Sequence, residues 1–416
     1  MKKLTVVFVV TCLWLHSQAQ DLSKQFPSSF HVKVSNPMKT SRQEAFVVVP
    51  ESGMPKDFNG KAFVVLDNGK EIASQYNKMD IDYKGIIVVL PELAASESRL
   101  LEVRYAKAGE IKRDYIKRTQ AELSYKTGGE WKAREYMGGT FKNTDFLRVP
   151  PEHKDHSWFL RYEGPGWESD KAGYRFYLDQ RNATDMYGKL TPDMVLQQVG
   201  LDGFESYHHM QSWGMDVMKV GKSLGIGSIG AMANGKITRV EKTDSVTSRI
   251  TENGNVYSSI LTNYYGWKIG EKKHDLQSRI TIHAGTRLTH QFLTLTNNPE
   301  NICTGIVKDK KAVLLSSKGD NSNFGYLATY GKQSLNSDGD ELGLAVFFRA
   351  ADATEFTEDE FSHIVKLKPT SGKVEYYFLG AWVLEPNGIK DQQQFESYLK
   401  KVASELASPV KAEVKK

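Results

Sequence analysis

Residues 205–228 read ESYHHMQSWGMDVMKVGKSLGIGS. Two adjacent histidines, Trp213, an Asp216–Lys219 pair and four glycines fall in this one stretch. At its end, Gly225 to Gly230 (GIGSIG) satisfies G-x-G-x-x-G literally. A dinucleotide fingerprint would make the fold α/β, but it needs a strand before it and a helix opening at it within a βαβ unit. The surrounding sequence is rich in strand-like runs and has no alternating helices. Gly221-Lys222-Ser223 resembles the end of a phosphate-binding loop, yet the position that needs the first glycine of that motif is Asp216. The glycines therefore read as turns, bulges and close backbone approaches in a curved sheet. The fold reads as all-β.

Working outward, the N-terminal third agrees. FHVKVSN (30–36), EAFVVVP (44–50), KAFVVLD (61–67), GIIVVLP (85–91) and LLEVRYA (100–106) are β-branched, and turn signals separate them. Short strands at this spacing predict a small antiparallel β-sandwich over residues 25–107. Residues 108–145 are charged and mixed, with Gly-Gly pairs at 128–129 and 138–139, and read as a linker and entry segment. From 146 to 407 strand runs recur, among them RITIH, GLAVFFRA and VEYYFLGAWVL, which predicts a larger antiparallel two-sheet sandwich. One helix is expected, over about 392–406. Asp391 and Gln394 form a capping box, and Phe395, Tyr398, Leu399, Val402 and Leu406 recur at helical spacing. Residues 408–416 read as a frayed tail.

The first 19 residues read as a secretory leader: Lys2 and Lys3, an apolar run from Leu4 to Leu15, then Ser17-Gln18-Ala19. That run is too short to span a bilayer, and no later one is longer, so membrane insertion is not expected. A periplasmic or secreted location follows. Without Lys2 and Lys3, 53 basic residues face 50 acidic ones. This balance gives no reason to expect nucleic acid as a partner. Cys12 leaves with the leader, so Cys303 stands alone and no disulfide framework exists.

Candidate site residues fall in two runs. In the first, Asp216, Lys219 and Lys222 lie among Met215, Val217, Met218 and Val220. Such burial requires pairing, so Asp216 is either half of a structural ion pair or a tuned polar group. His208 and His209 beside Tyr207 and Trp213 are candidate acid–base groups, of which alternation would aim only one into a cleft. No second His/Cys/Asp cluster has metal-ligand spacing, although His283 and His290 could approach in space, so no metal or cofactor is expected. The second run, RYEGPGWESDKAGYRFYLDQRNATDMYGK (161–189), holds Trp167, Glu168, Arg175, Tyr177, Asp179 and Lys189. As a strand, GYRFYLD places Arg175, Tyr177 and Asp179 on one face. Aromatic rings stack on sugars, Arg pairs with carboxylates, and Tyr or His moves protons, which together suit an acidic sugar. A polar network bracing two sheets is the structural alternative.

These two runs, together with NYYGWK (263–268), resemble the secreted bacterial domain-of-unknown-function family 4861 over most of residues 25–400, WGMD…KVGKSLG being the most specific part. The resemblance implies a β-supersandwich like that of galactose mutarotase. It also implies work on uronate-containing oligosaccharides in polysaccharide degradation, an ulvan-oligosaccharide dehydratase being the related activity. The expected enzyme is thus a carbon–oxygen lyase. Arg175 with Lys219 or Lys189 would neutralise the substrate carboxylate, and His208 or His209 would move the proton, perhaps helped by Tyr177. Trp167, Trp213, Trp267 and Tyr264 would line the sugar site with Glu168, Asp179 and Asp216. The alternatives are a glycoside hydrolase, using a pair among Glu168, Asp170, Asp179 and Asp185, and a non-catalytic glycan-binding protein. The oligomeric state is not legible in the sequence.

Overall fold

The computed structural model describes residues 22–319, 323–336 and 339–415, so the leader at 1–19 lies outside the described residues. The chain divides into two compact units. One comprises the residues up to Ile116 with those from Pro409, and the other is Lys117–Ser408.

In the first unit, a five-stranded sheet runs in the order Lys411–Lys415, Ser28–Ser35, Ser98–Tyr105, Phe63–Asp67, Lys70–Ile72. A three-stranded sheet, Arg42–Pro50, Gly85–Leu93 and Ser74–Asn77, faces it. Alternate residues such as Val32, Val34, Val47, Val49, Val88 and Val103 fill the core between them. The final segment corrects the expectation of a frayed tail. Lys411–Lys415 pairs antiparallel with Ser28–Ser35, from Ser35↔Lys411 to His31↔Lys415, and Val410, Ala412 and Val414 pack on the same core. The alternation of Val410, Ala412 and Val414 with charged residues is a strand signal that the Lys/Glu content obscured.

The second unit is a sandwich of antiparallel sheets. One layer is a nine-stranded sheet: Phe146–Arg148, Ser245–Asn253, Tyr257–Ile269, Lys272–His283, Thr289–Leu295, Lys373–Trp382, Leu342–Arg349, Phe324–Gly331, Ala312–Ser317. Against it lie two five-stranded sheets. The first, called the site sheet below, runs Gly214–Asp216, Thr184–Lys189, Gly173–Phe176, Gly166–Ser169, Thr119–Glu122. The second runs Lys236–Arg239, Gly230–Ala233, Ile302–Val307, Ser362–Leu367, Ala353–Glu358. One core joins all three through Tyr174, Met186, Trp267, Val346, Val365 and Trp382. The helix Gln392–Ala407 covers the outer face of the nine-stranded sheet, where Phe395, Leu399 and Val402 meet Tyr330, Ala345 and Phe347. Its start is capped as expected, the Gln394 amide donating to the Asp391 carboxylate at 2.8 Å. Among the described residues, no helix is long and apolar enough to cross a membrane.

The segment 108–145 departs from the linker expectation. Thr119–Glu122 is an edge strand of the site sheet, while Ser124–Lys132 and Glu135–Asn143 form a hairpin. Pairing keeps one register from Glu135↔Lys132 to Asn143↔Ser124, and Gly128 and Gly139, at φ of +79° and +74°, fall at the same step of it. A side chain at Gly139 would meet the Thr127 carbonyl at 2.5 Å. The glycine pairs therefore lie inside paired strands and are not linker residues.

The glycines that imitate a phosphate loop are also structural. Gly225 and Gly227 have φ of +56° and +68°. A Cβ at Gly225 would lie 2.0 Å from the Thr184 carbonyl oxygen, and one at Gly227 would enter the Phe378 ring. Close approach of backbone to sheet and ring excludes any larger residue at either position.

Candidate functional site

The site sheet has two unlike faces. Tyr174, Phe176, Met186 and Met215 point into the core. The neighbouring positions, Glu168, Arg175, Asp185, Lys189 and Asp216, lie on the other face and are buried as well. The segments 158–163 and 195–213 lay Tyr162, Leu196, Phe204 and Tyr207 over that face and exclude water from it.

Register sets the central cluster. Arg175 stands opposite Asp185, and Asp216 stands opposite Tyr187 on the next strand. The Arg175 guanidinium, 2% exposed, donates to Asp185 Oδ2 at 2.7 Å, Asp216 Oδ2 at 2.6 Å and Tyr207 Oη at 2.7 Å. It lies over the rings of Tyr177, Tyr187 and Tyr207 at 4.9–5.3 Å. Tyr177 in turn donates its hydroxyl to Asp185. Burial opposes the charge on Arg175, but the three tyrosines and Asp185 outweigh it and hold the guanidinium well above its usual range. Burial, then the neighbouring Asp216 carboxylate, pushes Asp185 up to about 6 against Arg175 and Tyr177.

One titratable group leads from this cluster to solvent. His208 ends the short turn Ser206–His208, and its side chain is 40% exposed. Its Nε2 lies 3.5 Å from Asp216 Oδ2, and this contact raises His208 above the usual imidazole value against partial burial. The buried Asp216 thus shares its Oδ2 between Arg175 and an accessible histidine, while its Oδ1 accepts from the Met218 amide at 3.2 Å. That is the arrangement of a general acid–base group with an orienting carboxylate. His209 is exposed and outside the cluster, so the structure separates the two adjacent histidines.

A second charged group adjoins the first. Arg181 pairs with Asp155 (2.9 Å), Glu163 and Asp179, and lies 3.9 Å over the Tyr177 ring. Asp155, His156 and Glu163 bring ligand atoms within 4.8 Å of one another. Arg181 already supplies the cation that neutralises these carboxylates, which disfavours a metal there. The covering segment is strained: His156, Trp158, Tyr162 and Glu163 have φ of +56°, +62°, +38° and +73°. Each such residue costs on the order of 1–3 kcal/mol, and such residues cluster at functional sites.

Several expected site residues lie elsewhere. Trp167 and Trp267 are core residues. Their indole N–H groups donate to Thr289 Oγ1 (2.9 Å) and the Arg239 carbonyl (3.0 Å), so neither ring can receive a sugar. Tyr264 is buried against Asn182 at 3.0 Å. Lys189 and Glu168, both fully buried, pair at 2.6 Å; Lys189 also donates to the Ser169 carbonyl, and Glu168 accepts from the Val195 and Leu196 amides. This is an internal brace between sheet and cover, not a substrate contact. Lys219 is exposed and takes no part in the cluster. Asp179 does not continue the Arg175–Tyr177 row, because the strand ends at Phe176 and the chain turns toward Arg181. Trp213 is partly buried, edge-on to Tyr187 at 5.7 Å. His283 and His290 belong to the nine-stranded sheet, hydrogen-bonded to the Ala284 carbonyl and Glu375 at 2.8 and 2.7 Å.

Tyr187, Tyr207, Glu163 and Arg181 were not singled out from sequence, although each lies within or beside the two runs. The register Tyr187↔Asp216 and the fold of 195–213 over the sheet are what bring them in.

The family model "Domain of unknown function (DUF4861)" matches residues 34–412. The chain belongs to this family. No curated protein matches it. Among solved structures, an alpha-mannosidase from Enterococcus faecalis V583 is 10% identical, with a TM-score of 0.46 over 93% of this chain and 46% of that one. A glycosyl hydrolase family 38 protein from the same species gives the same identity and TM-score. A putative aldose 1-epimerase from Klebsiella pneumoniae is 10% identical, with a TM-score of 0.31 over 57% of this chain and 82% of that one. The DUF4861 chain spans about half the length of the two Enterococcus proteins.

Proposed function

We propose that this DUF4861 protein is an exported enzyme that carries out β-elimination on uronate-containing oligosaccharides, such as ulvan fragments, with His208 as its acid–base group. The observation that carries this reading is the half-exposed His208 beside a buried Asp216 whose Oδ2 is also held by Arg175. In the reaction, a base removes the proton α to the sugar carboxylate. The released electron pair forms the C=C bond, the β C–O bond breaks, and the departing oxygen takes up a proton. His208 is the group that can exchange those protons with substrate. Asp216, Arg175 and Tyr177 are positioning residues, since burial keeps them from it.

The same geometry disfavours glycoside hydrolysis, which uses two carboxyl groups flanking the scissile bond. Glu168, Asp179, Asp185 and Asp216 are all buried and paired, and Asp170 is held by Arg118 at 2.6 Å. Incubation with uronate oligosaccharides, followed by ultraviolet absorbance and mass, tests the reading. An absorbing, unsaturated product supports it; a hydrolysed product without a new double bond overturns elimination.

A further inference from the structure

Beside this centre runs a groove of about 430 Å³, lined by Lys126, Gly139, Thr140, Phe141, Trp158 and the segment Leu201–Gly203. Its volume lies within the range of small-molecule sites. The hairpin Ser124–Lys132/Glu135–Asn143 forms one wall and is fixed in place. Tyr125, Trp131 and Tyr136 surround Phe159 at 5.3–5.7 Å, and the Lys126 and Tyr136 amides donate to the Phe159 and Ser157 carbonyls at 2.9 and 2.7 Å. The opposite wall continues into the centre. Trp158 packs on Phe204 at 4.4 Å, and His208 is five residue steps beyond Gly203, an extended span of at most about 18 Å.

The groove offers what an acidic sugar needs. The Lys126 ammonium sits between two rings, 5.4 Å from Phe141 and 5.8 Å from Trp158. Both rings are partly exposed, as the apolar face of a sugar requires. Trp158 is held in position by its left-handed backbone and by Gly203, where a Cβ would meet the indole at 2.5 Å. Asp202, its carboxylate already accepting from Ser206 Oγ at 2.6 Å, has acceptor capacity left for sugar hydroxyls.

We infer that this groove is a subsite for a uronate residue of the oligosaccharide whose reacting unit lies at His208, with Lys126 as the carboxylate partner and Trp158 and Phe141 as stacking platforms. The assignment rests on the function proposed above. The test uses a glucuronate-containing tetrasaccharide and a neutral glucose tetrasaccharide of the same linkage, with calorimetric affinity and steady-state kinetics on the full chain. Lys126→Ala should weaken binding of the acidic probe about tenfold, the scale of one charge-assisted hydrogen bond, and leave the neutral probe unchanged. Phe141→Ala should weaken both. On the acidic probe each variant should raise KM with kcat retained. Affinity for the acidic probe unchanged in both variants, or no binding of it by the wild type, overturns the subsite. Binding that depends on Lys126 without any unsaturated product keeps the subsite and removes the elimination reading instead.

Discussion

Replacing Lys189 with methionine should destabilise the larger unit without touching chemistry. Lys189 and Glu168 are fully buried and 2.6 Å apart, so the substitution strands a carboxyl group in the interior. Burial already pushes Glu168 up, against the pull of Lys189 and the two backbone amides. Without Lys189 it escapes by taking a proton. At pH 7, starting from its ordinary 4.5, that costs about 3.4 kcal/mol at 1.36 kcal/mol per pH unit. The Ser169 carbonyl also loses its donor, which adds on the order of 1 kcal/mol. The sum agrees with the roughly 3–5 kcal/mol that breaking a buried pair costs. It corresponds to a fall in Tm of roughly 7–20 °C for a unit of this size. The sign with pH follows. In the variant the folded state holds its proton more tightly than the unfolded chain, so the deficit should shrink as pH falls from about 8 to about 5.5. Adding Glu168→Gln should recover most of the loss, because a neutral amide still accepts from Val195 and Leu196. Thermal melts by circular dichroism across that pH range are the assay. A variant that melts like the wild type but loses turnover a hundredfold would refute the argument and restore Lys189 as a catalytic group.

His208→Ala should lower turnover by roughly 10²–10⁴-fold and His209→Ala by less than about threefold, read from initial rates of unsaturated product. Because Asp216 raises His208, Asp216→Asn should move the histidine limb of the pH–rate profile to lower pH; an unmoved limb would uncouple the pair. Trp267→Ala should cost about 3–5 kcal/mol of stability as a core cavity, measured by denaturant unfolding, and should leave KM for the oligosaccharide unchanged. Ending the chain at Pro409 removes the strand over Ser28–Ser35 and should speed proteolysis within the first unit while the larger unit keeps its melting transition.

The fold was legible where local signals agree with one another. Alternating β-branched runs became strands at the expected places, and the Asp391 cap with the stripe from Phe395 to Val402 became the helix. Legibility failed where composition and conformation separate. Gly128–129 and Gly138–139 read as linker by composition, yet a paired strand accepts glycines at left-handed φ without losing register, so a hairpin was missed, and with it Lys126 and Phe141. In the site, strand alternation gave the Arg175–Tyr177 face and flagged Asp216 as a buried charge. Burial depth was not available from sequence: a tryptophan over a sugar and a tryptophan in a core have the same neighbours in the chain. Trp167, Trp267 and the Lys189–Glu168 pair therefore entered the candidate set on residue type alone.

The strand Lys411–Lys415 has a consequence for how the protein is made. The smaller unit cannot complete its sheet until nearly 300 intervening residues have left the ribosome, while everything the larger unit needs is contiguous in the nascent chain. The larger unit can therefore finish as a self-contained insert, and the smaller one closes last, around a strand that has waited since the start of synthesis with one edge open.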